Sequence, residues 1–144
     1  MSNHGWWDIT LHKKNDRKNL ILSTEMLAHK LLSQVRSIKI GINELDEVSE
    51  EIGALINTSL APVASAGVVD FGLMQSILHK EMTKLLSALI ELKLNMIASG
   101  LALIENVMQT ATKLSKTEAL SQEDDIAICK IFLIINKSLS ELRQ

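Results

Sequence analysis

The sequence predicts an all-α fold: a long antiparallel helical hairpin of coiled-coil type, with a third, C-terminal helix packing on it and the bundle completed by oligomerisation. Three observations carry this expectation. Apolar residues make up 47% of the 144-residue chain and aromatics only 3%, so the apolar mass is Leu, Ile, Val, Ala and Met, the composition of a helix bundle rather than a sheet. Heptad-patterned sequence flanks a charge-free stretch, Ile52 to Val69, that holds the only proline, Pro62. The mean hydropathy of +0.17 is more than one thin helical chain can hide, which favours a partner or self-association.

The elements follow in order, as an N-terminal arm over 1–19 and one helical-bundle domain over 20–144. In the arm, Trp6 and Trp7 precede a basic cluster from His12 to Lys18, diluted by Asp8 and Asp16. Paired tryptophans beside basic residues suit contact with a membrane interface or a partner groove, or a plain cap on the bundle. A first helix over about 20–57 carries two apolar lines, one of Leu31, Ile38, Leu45 and Ile52, the other of Ala28, Val35, Ile42, Ser49 and Ile56. Alternating steps of three and four put both lines on one seam. Gly41 and Gly53 each cost about 1 kcal/mol against Ala in a helix interior and do not outweigh that pattern.

The charge-free stretch is the expected hairpin tip, with Val68, Val69 and Phe71 as candidate contacts for a membrane or a partner. Asp70 is a candidate N-cap for a second helix over about 72–115. Its expected lines are Met82, Leu89, Met96 and Leu103, and Leu78, Leu85, Leu92 and Ser99, with a register slip beyond Gly100. Folding back near Ala64 to Ala66 would set Glu47 and Glu50 level with Lys80, Glu44 near Lys84 and Lys39 near Glu91. Ser121 followed three residues later by Asp124 is a capping-box signal, so a third helix is expected over about 122–142. A strand competes over Ile128 to Ile135, but the cap and the polar Asn136, Lys137, Ser140 and Glu141 favour helix.

Charge and cysteine content exclude several classes. A net charge of -2 offers no clustered basic excess for phosphates, so no nucleic-acid partner is expected. Cys129 is the single cysteine, which rules out an intrachain disulfide and fits a reducing compartment. Without an apolar signal core at the N-terminus the expected location is cytoplasmic, with export by a signal-independent route open. Asn57, Thr58, Ser59 and Pro62 interrupt the best candidate for a spanning segment, so membrane contact is not favoured.

The search for chemistry returns little. His4, His12, His29 and His79 lack the spacing that brings two ligands to one helical face, and Glu123 to Asp125 are explained by the helix dipole. No metal or cofactor is expected, no nucleophile context is recognisable, and Cys129 is expected to pack on an apolar face. The segment Ala28-His29-Lys30-Leu31-Leu32-Ser33 resembles the start of the Ala-His-x-Leu-Lys-Gly segment of histidine phosphotransfer domains, which are helical bundles of similar size. That resemblance implies His29 as the phosphoryl acceptor; Leu32 and Ser33 stand where the family has lysine and glycine, leaving Lys30 and Arg36 as substitute cations.

The expected function is therefore non-enzymatic: an adaptor, chaperone or structural subunit binding itself or a partner helix through an apolar seam and face. The candidate contact residues are Leu31, Ile38, Leu45, Ile52, Leu78, Leu85, Leu92, Met96, Ile128, Phe132 and Ile135. A short, helical, apolar, cysteine-poor chain is similar in style to small bacterial proteins encoded with specialised secretion machines, which implies an accessory role. The alternative is a membrane-active protein using the 52–69 tip, a layout that resembles helical pore-forming proteins in outline; phosphotransfer is the third reading.

Overall fold

The computed structural model describes the backbone of residues 5–58, 71–117 and 120–144, and the side chains of 16–57, 72–117 and 120–144. It is all-helical: α1 spans Gly5–Thr58, α2 Phe71–Ser115 and α3 Gln122–Arg143, with no strand among the described residues. α1 starts at Gly5, so most of the stretch expected as an arm is helix. The segment Ile128 to Ile135 is helix as well. Ser121 accounts for where α3 begins: its backbone is extended, and its hydroxyl accepts a hydrogen bond from the Asp124 N–H at 3.1 Å, satisfying a donor that the first turn cannot pair.

The chain divides into two compact units, and α1 and α2 contribute to both. Unit 1 comprises Met1–Ser37 and Gly100–Gln144. Its core is made of one stripe from each helix. α1 buries Ile21, Thr24, Ala28, Leu31, Leu32 and Val35; α2 buries Ile104, Val107, Ala111 and Leu114; α3 buries Ile128, Ile131, Ile135, Ser138 and Leu142. Each fully buried Leu or Ile contributes about 1.5–3 kcal/mol, so this three-sided core is the principal source of stability in the unit. The two buried hydroxyls are satisfied locally, Thr24 donating to the Leu20 carbonyl at 2.7 Å and Ser138 to the Ile134 carbonyl at 3.0 Å.

At the rim of unit 1, Arg36 on α1 grips Glu141 on α3 with three hydrogen bonds. Nε donates to Oε2 at 2.8 Å and to Oε1 at 3.1 Å, while Nη2 donates to Oε1 at 2.9 Å. Hydrogen bonding to Arg36 lowers the Glu141 pKa from its ordinary value, and the same bonds raise that of Arg36. The fork of a guanidinium matches a carboxylate in this way, so the pair orients α3 on α1 more than it stabilises the fold.

Unit 2, Ile38–Ser99, holds the second part of α1 and the first part of α2. Its buried apolar residues among those described are Ile42 and Ile52. Ile38, Leu45, Ser49 and Ile56 on α1 are half-buried, as are Met82, Leu86, Leu89, Lys93 and Met96 on α2. The α1 lines read from the sequence are thus the inward ones. On α2 the Met82–Leu89–Met96 line is inward, but its companion runs through Leu86 and Lys93; Leu78, Leu85, Leu92 and Ser99 face solvent. Continued by heptads, the same line reaches Gly100, Val107 and Leu114, all buried, so α2 needs no register slip. The line escapes notice because Lys93 and Gly100 do not look apolar. Lys93 is half-buried, with its ammonium 2.8 Å from Asp46 of α1.

Candidate interaction surface

Two contacts in unit 2 define the sides of its seam. A Cβ at Gly41 would lie 2.7 Å from Met96 Cε, so this row of α1 borders the Met82–Leu89–Met96 row of α2. The Asp46–Lys93 ion pair marks the opposite side. This pair replaces the expected matches of Glu44, Glu47 and Glu50 with Lys80 and Lys84: α1 meets α2 further along its length.

On the Gly41 side, heptad steps along α1 lead to Val48 and Leu55, which are 43% and 47% exposed. The bordering row on α2 is Leu78, Leu85 and Leu92, at 43%, 51% and 48%. Five large aliphatic side chains therefore open to solvent from one side of a unit that, among the described residues, buries two. They stand in rows on neighbouring helices rather than scattered singly. Bordering this surface, α1 carries Glu44 and Glu51, both exposed, and the outer side of α2 carries Lys80 and Lys84 with Glu81 and Glu91, also exposed. Lys84 and Glu81 make a loose pair at 3.5 Å within α2.

The candidate contact residues fall into two groups. Leu31, Ile52, Ile128 and Ile135 are buried in the chain's own units, and Ile38, Leu45, Met96 and Phe132 are half-buried there. Leu78, Leu85 and Leu92 remain open. Val48 and Leu55 were missed by the sequence reading; the signal that could have found them is their heptad position beside the α1 seam. Of the candidate membrane or partner contacts, Val68 and Val69 lie outside the described residues, as do the side chains of Trp6, Trp7 and Phe71.

His29 and His79 are exposed, and among the described residues no group of three His, Cys, Asp or Glu could hold a metal ion. Next to His29, Lys30 is exposed, while Arg36 is engaged by Glu141. Cys129 is exposed, contrary to the packing role expected for it, because α3 turns Ile128 and Ile131 inward and leaves Cys129 and Lys130 between them on its outer side. A hollow of about 210 Å³ between α1 and α3 is lined by Lys18, Ile21, Leu22, Glu25, Glu123, Asp124 and Ala127, and is open and mixed in charge. Compared with models of protein families, with curated proteins and with solved structures, the chain matches none.

Proposed function

We propose that this is a non-enzymatic helical interaction protein, an adaptor, chaperone or structural subunit, that binds a helix of a partner or of itself through the open apolar face of unit 2. The observation that carries this reading is the pair of exposed rows, Val48 and Leu55 on α1 with Leu78, Leu85 and Leu92 on α2. Unit 2, whose buried apolar residues among those described are Ile42 and Ile52, needs further apolar contact to reach the stability of an ordinary domain. The reading includes an antiparallel, coiled-coil-like hairpin of α1 and α2. It is supported by Gly41 meeting Met96 while the later Asp46 meets the earlier Lys93, and by steps of three and four along both inward lines.

The test is co-purification from the native cell. Tagged wild type is expected to retain another chain, or an untagged copy of itself, that Leu85→Asp loses while keeping its helical circular dichroism. Equal recovery by both would reject the apolar face as the binding surface.

A second reading, lipid contact, draws on α2: Gly72–Ser115 is long and apolar enough to cross a membrane, and 11% of its most apolar window is buried. Against it, the α1 segment paired with that helix carries Glu44, Asp46, Glu47, Glu50 and Glu51, which do not enter hydrocarbon and are repelled by anionic headgroups. Liposome flotation decides: lipid association of the wild type, lost on Ile90→Asp with Leu94→Asp, would favour the bilayer.

A further inference from the structure

We infer that the occupant of the open face is a second copy of this chain, and that the two hairpins form a four-helix bundle in which α1 of one copy lies against α2 of the other. The inference rests on the proposed interaction function and names the partner. Each unit 2 is a two-helix layer with an apolar side, and two such layers placed face to face cover Val48 and Leu55 of one copy with the Leu78–Leu85–Leu92 row of the other.

Charge selects the pairing. Between Ile38 and Thr58, α1 carries five acids, Glu44, Asp46, Glu47, Glu50 and Glu51, against one lysine, Lys39. Setting α1 on α1 would bring the glutamates bordering the apolar row together, whereas setting α1 on α2 brings them to a helix of mixed charge, where Lys80 and Lys84 stand beside Glu81 and Glu91. The level of the match follows from the internal contacts. Gly41 is level with Met96, so in an antiparallel hairpin Val48 is level with Leu89 and Glu51 with Leu86. A two-fold axis parallel to the helices preserves that level, which puts Glu51 of each copy within reach of Lys84 of the other and forms the pair twice. Both groups are exposed in the single chain, and Lys84 makes a loose contact with Glu81.

The experiment is sedimentation equilibrium on the full chain, with helicity monitored for every variant. The wild type is expected to dimerise. Glu51→Lys alone and Lys84→Glu alone, each placing like charges at both sites of a homodimer, are expected to weaken dimerisation about tenfold, and an equimolar mixture of the two is expected to restore it, because the mixed dimer recovers both pairs. Restoration on mixing cannot come from a contact within one chain. Leu85→Asp is expected to abolish dimerisation. A monomeric wild type overturns the inference, as does a dimer indifferent to Lys84→Glu, a dimer that survives Leu85→Asp, or a mixture no tighter than its components. A monomeric wild type that still retains another chain through Leu85 would leave the interaction function standing while removing self-association.

Discussion

A methyl group added at Gly53 would meet nothing within 4 Å, whereas one added at Gly41 would stand 2.7 Å from the end of the Met96 side chain. Both glycines lie inside α1, where replacing Gly by Ala gains about 1 kcal/mol of helix propensity. Gly53→Ala is therefore expected to stabilise the protein by about 0.5–1 kcal/mol in urea titrations. Gly41→Ala should gain less, because Met96 must turn its terminal methyl aside, and a thioether does so at low cost. Gly41→Leu goes further and is expected to destabilise by about 1–3 kcal/mol, since the whole methionine must leave the seam. Glycine at 41 is thus a notch for a partner side chain, whereas at 53 it is a tolerated weakness.

At the scale of elements, the Arg36–Glu141 fork ties the last turn of α3 to α1 and makes that attachment sensitive to acid. The pKa of Glu141 is lowered in the folded chain by hydrogen bonding to Arg36, so the folded form holds its proton more weakly than the unfolded one. The contribution is fully present above the unfolded carboxylate value and is lost as pH falls through the lower, folded value. Glu141→Gln is expected to flatten the decline of the urea midpoint below about pH 5, the ordinary carboxylate range lying near 4. The start of α3 depends on a different residue: Ser121→Ala is expected to cost about 1 kcal/mol, read by the same titration. That start was legible in the sequence, because a cap needs only two residues at fixed spacing. The orientation of α3 was not, since Ile126, Ile128, Ile131, Leu133 and Ile135 put apolar side chains on every side, and only packing decides that Ile131 is inside while Leu133 is outside. The α1 seam was legible because both of its lines are built almost wholly of aliphatics. On α2 the second line was misassigned to Leu78, Leu85 and Leu92, since a lysine and a glycine occupy the inward heptad positions that a purely apolar count requires.

For the molecule as a whole, the two units differ in how they spend their apolar residues. Unit 1 builds a three-sided core, although Leu20, Leu22, Met26 and Leu133 stay exposed, and Ile131→Ala at a fully buried site is expected to cost about 2–5 kcal/mol in thermal or urea unfolding. Unit 2 presents its own outward, and Leu85→Ala is expected to leave the stability of the dilute chain within about 0.5 kcal/mol while weakening association, a contrast visible by running the same unfolding curve at two protein concentrations. All-α architecture was readable from composition and periodicity, whereas the division into two units was not, because on α1 the heptad signal runs through Ser37 without a break, and on α2 the change of pattern at Gly100 reads as a register slip.

That division sets an order of events on the ribosome. Unit 2 is one continuous stretch, complete once residue 99 has emerged, while unit 1 joins the first 37 residues to a segment that begins at residue 100. The early part of α1 must therefore wait for the end of α2 and for α3, closing a loop as long as the whole of unit 2. During that interval Ile21, Leu31 and Val35 have none of their α2 and α3 core partners, and Leu78, Leu85 and Leu92 are already exposed. A nascent chain in this state is a natural client for the holdase chaperones at the exit tunnel.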